Sequence, residues 1–153
     1  MSKITHRQHG IALLMALLLV GTTTFTGLGK SLNAIVATDA HISDVTLGTD
    51  KKMTEETDEF ESDETIFAAV DIEDNDKTLR VKARLRIVDV PGQNPGLIKG
   101  IEAIVTIKGE ATADFSFSNP TNGWPKGKYQ FEALLIDGSG ATIDTEEHVF
   151  MVH

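Results

Sequence analysis

The sequence predicts an all-β sandwich built from about seven short antiparallel strands. Three observations predict it. Apolar and polar residues alternate with period two in several separate runs, as in Ile66, Ala68, Val70 and Ile72. Clusters of Gly, Pro, Asn and Asp interrupt those runs at short intervals. Beyond the N-terminal apolar stretch, no segment shows the 3.6-residue apolar period of a helix.

Composition limits what such a protein can do. At 153 residues, 41% of them hydrophobic, the chain can bury one core. It contains no Cys, which excludes disulfides, thiolate metal sites and cysteine nucleophiles. Formal charge is −9, and setting aside Lys3, Arg7 and Lys30 leaves 14 − 3 = 11 basic against 23 acidic residues, or −12. A body this acidic is repelled by phosphate backbones and anionic lipid surfaces, so nucleic acid is not an expected partner.

The chain opens with a basic segment holding Lys3, His6, Arg7 and His9, then an apolar run of ten residues, Ile11 to Val20. Ten residues match a secretory h-region, whereas a bilayer-spanning helix needs about 20. The expectation is a signal helix over residues 1–34, with cleavage between 28 and 38, and no stable membrane span afterwards. The expected location is periplasmic or secreted. Gly10 followed by the apolar run also resembles the leader of type IV pilin-like proteins, in which a peptidase cuts after Gly and the helix is retained. Met15 stands at the fifth position of that mature chain, where most such proteins carry Glu.

Residues 35–64 read as a first short strand, through Ile42, Val45 and Leu47, and then an acidic loop in which only Phe60 offers an anchor. The main body is expected over residues 65–153. Its first two strands run from Ile66 to Ile72 and from Leu79 to Ile87, joined by a turn rich in Asp and Asn. Asp71, Asp74 and Asp76 place hard oxygens close together there, so they are the candidate calcium ligands, although the turn lacks EF-hand spacing. Arg80, Lys82, Arg84 and Arg86 recur every second residue and form one outward row about 20 Å long. Such a row is expected to pair with acidic neighbours such as Asp71 or Glu132; an anion-binding stripe is the alternative.

In the second half, the Pro91 to Gly96 cluster is a loop, Ile101 to Lys108 a strand, and Ala113 to Ser118 a strand carrying Phe115 and Phe117 on one face. Asn119 to Gly123 turns the chain into Gly123-Trp124-Pro125-Lys126-Gly127-Lys128-Tyr129. Pro125 fixes φ, Gly127 permits the turn, and Tyr129, Phe131, Ala133 and Leu135 then alternate toward one face. The last strand runs from about Ala141 to Val152.

Four stretches together carry a resemblance. Asp63 to Val70, Leu79 to Arg86, the Gly123 to Tyr129 corner and the closing Val149-Phe150-Met151-Val152 resemble the immunoglobulin-like modules of exported bacterial proteins, over roughly residues 60–153. The resemblance implies an immunoglobulin-like sandwich and says little about activity. Gly127-Lys128-Tyr129-Gln130-Phe131 is similar to the corner of immunoglobulin domains, with Phe131 where the disulfide cysteine would stand. Trp124, Gly127, Tyr129 and Phe131 are then a structural corner, in which the Tyr129 hydroxyl bonds to upstream backbone.

No nucleophile elbow, phosphate loop or metalloprotease helix occurs, and no cofactor is expected. His148, Met151 and His153 make a poor copper set, because His148 points away from the other two. Phe67, Ile104, Leu134 and Ile136 sit opposite their strands' core residues and are the candidate partner-binding residues. The leading expectation is an exported, non-enzymatic binding or accessory module that contacts another protein or its own copies. A pilin-like surface-filament subunit and a periplasmic metal-binding protein are the alternatives.

Overall fold

A computed structural model describes residues 39–153; the leader, its cleavage region and the start of the first segment lie outside the described residues. Eight strands follow in order: β1 (His41–Gly48), β2 (Glu59–Phe60), β3 (Ile66–Glu73), β4 (Thr78–Asp89), β5 (Gly96–Lys108), β6 (Ala111–Phe117), β7 (Gly127–Ile136) and β8 (Thr142–Val152). They form a three-stranded sheet, β1-β3-β6, and a five-stranded sheet, β2-β8-β7-β4-β5. The fold is all-β, an immunoglobulin-like sandwich, and every strand pair is antiparallel except the short β2–β8 contact. No helix among the described residues is long and apolar enough to cross a membrane.

The alternation explains the two layers. Ile66, Ala68, Val70 and Ile72 of β3 point inward, as do Leu79, Val81, Ala83 and Leu85 of β4, and all eight are buried. Tyr129, Phe131, Ala133 and Leu135 of β7 complete the central strip. Phe131 reaches across to the other sheet, with its ring centroid 6.4 Å from Phe115 and 6.2 Å from Phe117. An aromatic cluster of this kind replaces by packing the covalent link a disulfide would give between the sheets.

Two findings refine the expected strand list. The acidic loop contributes β2, because Phe60 is buried edge-on against Phe150 at 5.5 Å and its backbone pairs parallel to β8. β5 is longer than the alternation from Ile101 indicates and begins at Gly96. Arg84 faces Glu102 while Arg86 faces Leu97, so two steps along β4 match five along β5. Three extra residues are therefore looped out of the ladder, with Gly100 in the left-handed region at φ 79°.

Candidate functional site

The Trp124–Tyr129 corner is held by hydrogen bonds within itself and to the Ser62–Glu64 segment. Tyr129 donates its hydroxyl to the Pro125 carbonyl at 2.6 Å, and Trp124 donates its indole N–H to the Glu64 carbonyl at 3.0 Å. Ser62 closes the joint by donating its hydroxyl to the Trp124 carbonyl at 2.7 Å. Gly127 has φ 147°, and a Cβ there would lie 2.5 Å from the Asp89 carbonyl oxygen, so no side chain fits where β4 ends against β7. Tyr129 and Phe131 are buried in the core, and burial pushes the Tyr129 phenol above its ordinary value of 10.0. These residues lock the sandwich.

Pairing register places the outward side chains of the five-stranded sheet in rows. Glu147, Glu132, Arg84 and Glu102 form a central row across β8, β7, β4 and β5. Thr145, Leu134, Lys82 and Ile104 lie on one side of it, and Val149, Gln130, Arg86 and Leu97 on the other. Glu132 faces outward yet is only 2% exposed. Arg84 and Arg86 enclose it, donating Nε–H to its two carboxylate oxygens at 2.6 and 2.7 Å. Burial alone raises a carboxyl pKa, but the two arginine hydrogen bonds and charges outweigh it and hold Glu132 below its ordinary value of 4.5. Lys82 pairs with Glu102 at 3.5 Å, an exposed contact of little energetic weight. The cationic row is thus largely paired, through Glu132 and Glu102.

Asp71 is not one of its partners. It belongs to β3 in the opposite sheet, where Thr112 donates a hydroxyl hydrogen to it. Alternation in a single sequence gives each strand's faces but not which sheet the strand joins, and the error follows from that.

The four expected partner-binding residues do not share one surface. Ile104, Leu134 and Ile136 lie on the outer face of the five-stranded sheet. Phe67 lies on the outer face of the three-stranded sheet, between Gly48 and Ser116. Leu97, Val149 and Met151 share the five-stranded face and are at least one-third exposed, as is Ile104. Val149 and Met151 are not among the expected contact residues, although their signal is present in the sequence. Four consecutive apolar residues, Val149 to Val152, must put two side chains outside in a strand whose other face packs inward.

The three candidate calcium ligands do not come together as one group. Asp71 is engaged as described, and Asp74 lies 3.8 Å from the His41 ring. Asn75 organises the turn: its side chain donates to the Gly109 carbonyl at 2.7 Å and accepts from the Lys77 N–H at 2.9 Å. Asp74 and Asp76 border an open cavity of about 370 Å³ with Asp39 and Asp137. Among the described residues, no three His, Asp or Glu side chains converge closely enough to hold a metal ion. His148 lies 2.6 Å from Asp58, and His153 is 4.0 Å from Glu59.

No family model matches the sequence, and no curated protein matches it. Among solved structures, the chain is similar to a Niemann-Pick type C2 protein from the Japanese carpenter ant. The two are 12% identical, with a TM-score of 0.47, over 74% of this chain and 92% of that one.

Proposed function

We propose that this chain is an exported, non-enzymatic immunoglobulin-like binding module that acts through protein–protein contacts, with the outer face of the five-stranded sheet as its contact surface. One observation carries the reading: Leu97, Ile104, Val149 and Met151 are exposed around the ordered Arg84–Glu132–Arg86 clamp. A sheet face with fixed charges at its centre and apolar side chains around them can bind without first ordering its own residues. The leader supports export to the periplasm or the medium, and mass spectrometry of the exported chain reads this directly. A mature N-terminus between residues 28 and 38 is expected, and one at Ile11 would mean a pilin-like leader.

Phe67 favours a second reading, in which the partner is another copy. An apolar residue on each outer face allows the front of one copy to meet the back of the next, an open arrangement that extends into a filament. Photocrosslinking in the producing cell separates the two readings, with benzoylphenylalanine placed at positions 104, 149 or 67. Adducts from 104 and 149 alone fit a different protein. Adducts of two chain masses from 67 as well as 104 fit stacked copies. Absence of any adduct at 104 and 149 overturns the contact surface.

A further inference from the structure

The β5 bulge builds a second feature, apart from the outer sheet face. Ile98 and Ile101, carried on its looped-out residues, turn toward the end of the sandwich and meet Ile87, Pro120, Trp124 and Tyr129 around an open cleft of about 320 Å³. Exposed Gln93 and Asn122 stand at the rim and bring amide donors and acceptors. None of the residues lining the cleft is charged, in a chain that is 24% charged. Each of three other cavities carries at least three carboxylates, such as Asp74, Asp76 and Asp137 in one and Asp44, Glu56 and Asp58 in another. The Trp124 N–H and the Tyr129 O–H are donated to backbone carbonyls, so neither ring has a free donor to offer the cleft.

We infer that this cleft is a binding site for a small, uncharged ring compound, held by the apolar side chains of Ile98 and Ile101 against the aromatic corner. Three details select that class. The volume lies at the small end of ligand pockets and accommodates one or two ring systems. An apolar wall without a counter-ion penalises a charged guest, which would lose hydration and gain no partner. Bulges that leave residues unpaired in a ladder recur where a side chain must be re-aimed next to a site, and here the re-aimed residues are the two isoleucines. The site is independent of the outer face: Ile104 and Leu134 contact solvent there and do not line the cleft.

N-phenyl-1-naphthylamine, a neutral fluorophore that joins a naphthyl and a phenyl group, is the probe, and Trp124, the only tryptophan, is the reporter. Titration into the full chain is expected to give saturable naphthyl emission with matching loss of Trp124 emission. Anionic 1-anilinonaphthalene-8-sulfonate is expected to bind at least about tenfold more weakly. Ile101→Arg should weaken the neutral probe by about tenfold or more, while Ile104→Arg leaves it unchanged. Amide shifts in the wild-type chain keep the test independent of any variant's folding, and they should cluster at residues 87, 98, 101 and 121–124. Three results would each overturn the assignment: no saturation, equal affinity for the anionic probe, or shifts centred on the outer sheet face. Probe binding that falls as protein concentration rises would also overturn it, by assigning the cleft to a second copy.

Discussion

Glu132 is the most informative residue to change, because it is the buried carboxylate of an outward-facing row. In Glu132→Gln one acceptor oxygen remains for one arginine, but the new NH₂ group points a donor at the other. Charge-assisted hydrogen bonds contribute about 1.5–3 kcal/mol each, and breaking a buried ion pair costs roughly 3–5 kcal/mol. The Arg84 and Arg86 side chains are 28% and 37% exposed, so water takes over part of what each loses. The lower end therefore applies, with about 2 kcal/mol lost in Glu132→Gln and about 3 kcal/mol in Glu132→Ala. Urea unfolding followed by Trp124 emission measures the loss. The pH dependence follows from the native Glu132 pKa lying below its ordinary value of 4.5. The stabilisation this group supplies is complete above pH 4.5 and disappears as pH falls through the lower native value. The gap between wild type and Glu132→Gln should therefore be widest at neutral pH and narrow on acidification below the ordinary value. A gap under about 0.5 kcal/mol at neutral pH, or one that acid leaves unchanged, would refute the clamp.

Tyr129→Phe removes the donor to the Pro125 carbonyl at 2.6 Å and should cost about 1–2 kcal/mol in the same urea assay. Because burial raises the phenol's pKa, the native state resists its ionisation. Stability from this group is complete below 10.0 and lost as pH rises through the higher native value. As the chain has one tyrosine, absorbance at the phenolate band should rise later in native than in urea-unfolded protein, and coincident titrations would contradict this. Gly127→Ala should cost about 2 kcal/mol or more through the clash with Asp89 and Val90, whereas Gly138→Ala, with nothing within 4 Å, should stay within about 0.5 kcal/mol. Thermal melts of the two variants test the contrast, and equal shifts would sink it. Calcium titrated calorimetrically into wild type and Asp74→Ala/Asp76→Ala should give the same negligible heat, since three carboxylates do not converge at that turn. Heat seen only with wild type would show a site there.

Features legible in the sequence were those set by a few neighbouring residues. The alternation of β3, β4 and β7 gave their inner faces, because side chains in a strand must alternate whatever the strand pairs with. The corner was legible because Pro125, Gly127 and Tyr129 act within one turn of chain, where the hydroxyl bonds four residues back. Phe60 stood out as the one apolar anchor of an acidic loop, and it is buried. Pairing across the molecule was harder to read. Glu132 could be named as a partner of the arginine row, but its burial depends on the side chains that register sets around it.

By itself, then, the sequence determined a cysteine-free, acidic, two-layer β protein whose aromatic corner does the work of a disulfide. Tertiary structure decided the rest: that Phe67 and Ile104 look in opposite directions, that Asp71 is out of reach of the arginines, and that β5 loops out three residues to wall an uncharged cleft. The physical reason is that alternation has a period of two and only two faces. It tells each side chain in from out, but sheet membership, register and bulges arise from hydrogen bonds between residues far apart in the chain.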